Sequence, residues 1–122
     1  MSEKLGYAIL SALIYGSWAF FANGGDDPTS AVSAGVVQAV CSFGITLSLA
    51  IFSVRVFLFL RPPSVSISLL VVVSGFSLIL YVMHWIAGTG RIFVTILPSI
   101  IMGGLFCFYI LRKEALIYAG NK

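Results

Sequence analysis

The chain consists almost entirely of four long apolar runs, separated by short segments rich in Gly, Pro, Asn and Asp. The runs are 5–22, 31–60, 65–87 and 92–111. A membrane core about 30 Å thick needs about 20 apolar residues per helix, so each run is long enough to cross it. A backbone inside the membrane must satisfy its own hydrogen bonds, and a continuous apolar run does so as a helix. The sequence therefore predicts an all-α bundle of four transmembrane helices with short loops, in one domain over residues 1–122.

The composition excludes the other fold classes. Charged residues make up 9% of the chain and the mean hydropathy is +1.09, whereas soluble domains carry roughly 25% charged residues. Disordered chains are polar and charged, so disorder is excluded as well. The strands of a membrane β-barrel alternate apolar and polar residues, and the runs of this chain do not.

The positive charges predict the orientation of the bundle. Six of the seven Lys and Arg residues fall on the side of the membrane that holds both chain ends, and Arg91 falls on the other side. Positive residues favour the cytoplasmic side, so both termini are predicted to be cytoplasmic. The net charge of +3 follows from this topology, and we expect no nucleic-acid partner. The small loops favour a multi-pass protein of a bacterial-type inner membrane.

The sequence contains no motif for catalysis or metal binding. Its single His and its two cysteines, Cys41 and Cys107, do not form a cluster with the spacing of a zinc site. We expect the two cysteines to be small buried thiols. We expect no enzymatic activity, no cofactor and no metal ion.

Polar side chains are costly inside a membrane, so they mark where function can lie. Ser74, Ser77, Tyr81 and His84 recur at helical spacing and share one face of the third run. Polar groups from all four runs reach a similar depth in the outer half of the membrane. We hypothesise that they form a pocket for a lipid or amphipathic ligand. Its candidate residues are Trp18, Gln38, Ser77, Tyr81, His84 and Thr95.

The same pattern has a structural interpretation. Trp, Tyr and His rings favour the membrane interface, and Gln38 can bond to a neighbouring helix. In the functional interpretation, Gln38, Tyr81 and His84 bind the ligand, and Arg55 and Arg61 attract an anionic head group.

Small residues predict where the helices pack. Such residues let helix backbones approach closely in lipid. They recur every four positions in the first run (Ala8, Ala12, Gly16) and in the fourth (Ser99, Gly103, Cys107). These faces fit packing within one bundle or between copies of the chain. Pro98 interrupts the fourth run and predicts a kink, which is either a static bend or a hinge.

Two function classes remain open. The first is a transporter or flippase-like carrier of a lipid-linked or amphipathic substrate. The second is a non-catalytic accessory subunit of a larger membrane complex, with another membrane protein as its partner. No Asp, Glu or Lys lies in the predicted membrane core, which argues against coupling through an intramembrane carboxylate.

Overall fold

Four helices make up the protein in a computed structural model that describes residues 2–25, 27–60 and 63–121. They are α1 (Ser2–Asn23), α2 (Pro28–Phe59), α3 (Val65–Ile86) and α4 (Ile92–Gly120). Each is long and apolar enough to cross a membrane. The chain is therefore a multi-pass membrane protein, and the predicted four-helix bundle is confirmed. We call the end of the bundle that holds Asn23 the outer end, after the predicted orientation.

Polar side chains cap the N-termini of α2 and α3. The side chain of Asp27 accepts a hydrogen bond from the Ser30 N–H at 3.1 Å at the start of α2. The Ser64 hydroxyl accepts from the Ile67 N–H at 3.4 Å at the start of α3. Such caps satisfy backbone donors that the first helical turn leaves without partners.

The fourth helix continues well past the apolar run that predicted it. The run ends at 111, whereas α4 ends at Gly120. Charged residues stop a hydropathy run, but the Arg112, Lys113 and Glu114 that follow are good helix formers. The Tyr118 ring lies edge-on to Phe57, with centroids 6.2 Å apart. The inner ends of α2 and α4 therefore lie side by side.

The second helix is the centre of the bundle. It packs against each of the other three helices, whereas α1 and α3 do not contact one another in the described part of the chain. α1 and α2 approach closely at Gly16, where an added Cβ would lie 2.9 Å from the Ala39 Cβ and 3.0 Å from the Gly35 carbonyl oxygen. Ala8 is also buried, and Ala12 is half-buried. The small residues of α1 therefore lie along its contact with α2.

An apolar core fills the inner half of the bundle. It consists of Leu49, Phe57, Val72, Cys107 and Leu111. The Ser53 hydroxyl lies inside this core, donates to the Leu49 carbonyl at 2.6 Å and lies 3.3 Å from the Cys107 sulfur. Cys41 and Cys107 are both free thiols, and Cys107 is buried as expected whereas Cys41 is only half-buried.

A tryptophan from α1 satisfies the backbone group that Pro98 leaves unpaired in α4. Proline has no N–H, so it cannot bond to the carbonyl four residues before it, which belongs to Val94. The indole N–H of Trp18 donates to that carbonyl at 3.0 Å. This bond joins α1 to α4 near the outer end.

We expect the Trp18→Phe substitution to lower the unfolding free energy by about 1 kcal/mol, the usual worth of one hydrogen bond. The loss should shrink when Pro98→Ala is also present, because the alanine N–H at position 98 can then bond to the Val94 carbonyl. Unfolding of the two single variants and the double variant in mixed micelles measures this coupling. Equal losses from Trp18→Phe in both backgrounds would contradict this account of the tryptophan.

Candidate functional site

A buried chain of hydrogen bonds links three of the four helices near the outer half of the bundle. We call it the Gln38 network, and its members are Gln38, Ser42, His84, Thr89 and Ser99. Gln38 and His84 are fully buried. The Gln38 Oε1 lies 2.7 Å from the His84 Nε2, and the His84 Nδ1 lies 2.8 Å from the Thr89 hydroxyl. The network therefore runs from the α3–α4 loop into the interior of the bundle.

The placement of the Gln38 amide fixes the donors and acceptors of this network. The Gln38 Nε2 donates to the Ser99 hydroxyl at 2.6 Å and to the Ser42 hydroxyl at 3.2 Å. Its Oε1 must then accept, so neutral His84 carries its proton on Nε2. The Nδ1 of His84 accepts in turn from the Thr89 hydroxyl. Every polar side-chain atom of Gln38 and His84 thus has a partner, which a membrane interior requires.

The end of α3 places Thr89 against His84. Gly88 has a φ of +71°, a left-handed conformation that glycine adopts without the cost of a Cβ. The chain then turns back, and the Thr89 N–H donates to the His84 carbonyl at 3.0 Å. The turn therefore brings the threonine hydroxyl beside the imidazole ring.

A second buried cluster ties α1 to the start of α4. The Asn23 Nδ2 donates to the Ala19 carbonyl and to the Thr95 hydroxyl, both at 2.8 Å. The Asn23 Oδ1 accepts from the Arg91 N–H at 3.1 Å, and so caps α4 from a neighbouring helix. The Thr95 hydroxyl also donates to the Arg91 carbonyl at 2.7 Å. Thr95 therefore belongs to this cluster and not to the Gln38 network.

A partly open cavity of about 290 Å³ lies among all four helices. Its wall is mostly apolar, with Leu49, Phe76, Leu80 and Phe106 among its residues. No charged side chain lines it in the described part of the chain. Its hydroxyl groups come from Tyr7, Ser11, Tyr15, Ser42, Thr46, Ser77 and Ser99.

The Gln38 network ends at the wall of this cavity. Ser42 and Ser99 belong to both the network and the cavity lining. Each hydroxyl accepts a hydrogen bond from Gln38 and keeps its own proton to donate. Two further hydroxyls in the wall, those of Ser11 and Thr46, bond to one another at 2.8 Å. The cavity can therefore offer hydrogen bonds to an uncharged polar group surrounded by hydrocarbon.

The structure brings some of the sequence-predicted ligand residues together and separates others. Gln38 and His84 bond directly to one another, and Ser77 lines the cavity. Trp18 uses its indole N–H on the Val94 carbonyl. Tyr81 is 37% exposed and its ring packs against Phe93, with centroids 5.7 Å apart.

The residues that were predicted to attract a head group or to pack helices lie away from the Gln38 network, apart from Ser99. Arg55 is exposed near the inner end of α2, 13 residues or about 20 Å along the helix from Ser42. Arg61 lies outside the described residues. Ser99 and Gly103 line the cavity, and an added Cβ at Gly103 would meet no atom within 4 Å. This side of α4 therefore faces the cavity.

Sequence reasoning did not count Asn23, Ser42 or Thr89 among the ligand residues, and it predicted Ser99 only as a packing residue. Asn23 and Thr89 fall in segments whose Gly and Asn content predicts turns. A signal for Thr89 was available, because it follows His84 by five residues across a glycine. Asn23 offered none, since asparagine is common at helix ends for local reasons.

Comparison of the chain with protein-family models, with curated proteins and with solved structures finds no match. In the described part of the chain, no group of three His, Cys, Asp or Glu residues is placed to hold a metal ion. The cavity and the network that ends at it are therefore the features of the molecule that bear on its function.

Proposed function

We propose that this membrane protein is a transporter or flippase-like carrier of an amphipathic molecule with an uncharged polar part, located in a bacterial inner membrane. The observation that carries the proposal is the partly open cavity among four helices, with an apolar wall and scattered hydroxyls. Ligand sites are commonly concave and mostly apolar, with a few polar groups that fix orientation. No catalytic step is part of the proposal.

The chemistry of the wall favours an uncharged polar part. An ionised group in a site without a counter-charge loses its hydration and gains no compensating partner. Arg55 does not line the cavity and lies 13 residues along α2 from the Ser42 hydroxyl. A neutral carbonyl or ether group needs only hydroxyl donors, which the wall provides.

The bundle suggests where such a molecule enters. α1 and α4 are joined near the outer end by the bonds of Trp18 and Asn23. Towards the inner end, Tyr7 and Ser11 of α1 and Phe106 of α4 line the cavity. We propose that the ligand enters from the lipid between α1 and α4, below the joined outer ends.

Filling the cavity should remove the retained ligand. We expect the Gly103→Leu variant to retain the ligand about tenfold less than the parent, a loss of about 1.4 kcal/mol. Because an added Cβ at Gly103 meets no atom within 4 Å, the leucine should enter the cavity and not break a helix contact. Native mass spectrometry of gently solubilised protein, with its lipids retained, measures the difference.

The matched control is Gly75→Leu, at an exposed glycine of α3 that also has no atom within 4 Å of an added Cβ. This variant should retain the ligand as the parent does. Equal retention by the Gly103→Leu variant would contradict the proposal. A stoichiometric foreign subunit with no retained ligand would instead support the accessory role.

A further inference from the structure

We propose that the cavity selects molecules whose polar part is a hydrogen-bond acceptor, such as the carbonyl oxygen of a ketone or quinone. In this proposal Ser42 and Ser99 bind the acceptor, and Gln38 and His84 are positioning residues that turn the two serine protons towards it. The inference rests on the proposed function, because it names the substrate class of the same cavity.

The first step is the orientation of the Gln38 amide. Its Nε2 faces the two serines and its Oε1 accepts from the His84 Nε2 at 2.7 Å. The reverse orientation would set the amide hydrogens against the imidazole N–H. With the Gln38 Oε1 as acceptor, the proton of neutral His84 lies on Nε2, and the Nδ1 accepts from the Thr89 hydroxyl. In this tautomer, His84 holds the amide in the orientation that the structure has, and Thr89 is the partner of its Nδ1.

The second step is the direction of the serine protons. Serine hydroxyls in helices often donate to the carbonyl four residues earlier. Ser48, Ser53 and Ser68 do so here, at 2.8, 2.6 and 2.6 Å. Among the described residues, Ser42 and Ser99 make no such bond. Each accepts from Gln38 on one side, so its proton is left for the cavity side.

The third step is the convergence of the two donors. Both serine oxygens lie within 3.2 Å of the same nitrogen atom, the Gln38 Nε2. Two hydroxyls that close together can donate to one oxygen, and a carbonyl oxygen has two lone pairs to receive them. A ligand that offers only an N–H would instead meet two protons and leave its own donor without a partner.

Three flat tricyclic compounds of similar size separate these cases. 9-Fluorenone carries an acceptor only, carbazole a donor only, and fluorene neither. With the full chain in phosphatidylcholine nanodiscs, and with partition into empty nanodiscs subtracted, we expect the Kd of fluorenone to be about tenfold below that of fluorene. Carbazole should bind no more tightly than fluorene.

Variants connect this preference to the named residues. Ser42→Ala combined with Ser99→Ala should abolish the advantage of fluorenone and leave the affinity for fluorene unchanged, which also shows that the cavity is intact. His84→Leu should reduce the fluorenone-to-fluorene ratio. His84→Gln should restore it, because a glutamine amide can donate to the Gln38 Oε1. If His84→Leu does not fold, the variant that combines Ser42→Ala with Ser99→Ala still tests the proposal.

The outcomes distinguish the two proposals. Saturable binding of all three compounds with equal affinity would overturn the inference and leave the carrier proposal standing. A preference for carbazole would overturn it in the same way. If none of the compounds binds saturably, the proposed function fails and the inference fails with it.

Discussion

The Gln38→Leu variant is expected to lose about 2 kcal/mol of unfolding free energy. The leucine removes the acceptor of the buried His84 Nε2 proton, and a buried donor without a partner costs about 1–3 kcal/mol. The Ser42 and Ser99 hydroxyls can rotate to other partners, so most of the loss comes from the histidine. Reversible unfolding in mixed micelles measures this difference.

Two variants control this experiment. Val40→Leu changes a side chain that is 65% exposed on the same helix, and should leave the stability unchanged. Combining Gln38→Leu with His84→Leu replaces both polar partners by apolar groups, a change that is often nearly neutral. The double variant should therefore lose less than the sum of the two single losses. Additive losses would show that the two side chains do not depend on one another.

The Gly16→Leu variant is expected to lose about 3 kcal/mol, as overpacking at a close contact commonly does. An added Cβ would lie 2.9 Å from the Ala39 Cβ and 3.0 Å from the Gly35 carbonyl oxygen. Neither atom is at the end of a flexible side chain, so α1 must move away from α2. The unfolding free energy in micelles reports the cost.

Gly44→Leu is the matched control for this substitution. Gly44 lies on α2 and an added Cβ there meets no atom within 4 Å, so the same leucine should be tolerated. Gly16→Ala should be intermediate, because the Cβ alone already makes the close contacts. If the Gly16→Leu and Gly44→Leu variants are equally stable, the glycine crossing does not hold α1 against α2.

The sequence predicted the four helices because their cause is local. Each run had to be long enough to cross a membrane and had to satisfy its own backbone, and both properties can be read from consecutive residues. The end of α4 was harder to predict. The apolar run ends at Leu111, before the charged residues, whereas the helix continues to Gly120. Helix propensity, and not apolarity, sets that boundary.

The sequence also indicated that Gln38 and His84 matter, since each is polar within an apolar run. It placed Trp18 and Thr95 with them as ligand residues by depth alone, and Tyr81 by depth and by the helix face that it shares with His84. Depth does not say which way a side chain faces. In the structure Trp18 completes the backbone of α4 and Thr95 bonds to Asn23.

Tertiary structure alone decided which polar groups meet. Gln38 and His84 are 46 residues apart in the chain, and their contact depends on how α2 and α3 are rotated and packed. Close packing at Gly16 sets α1 against α2, a left-handed turn at Gly88 places Thr89 beside His84, and hydropathy encodes neither. A buried hydrogen bond is sensitive to distance and angle, so the partners become known only when all four helices are in place.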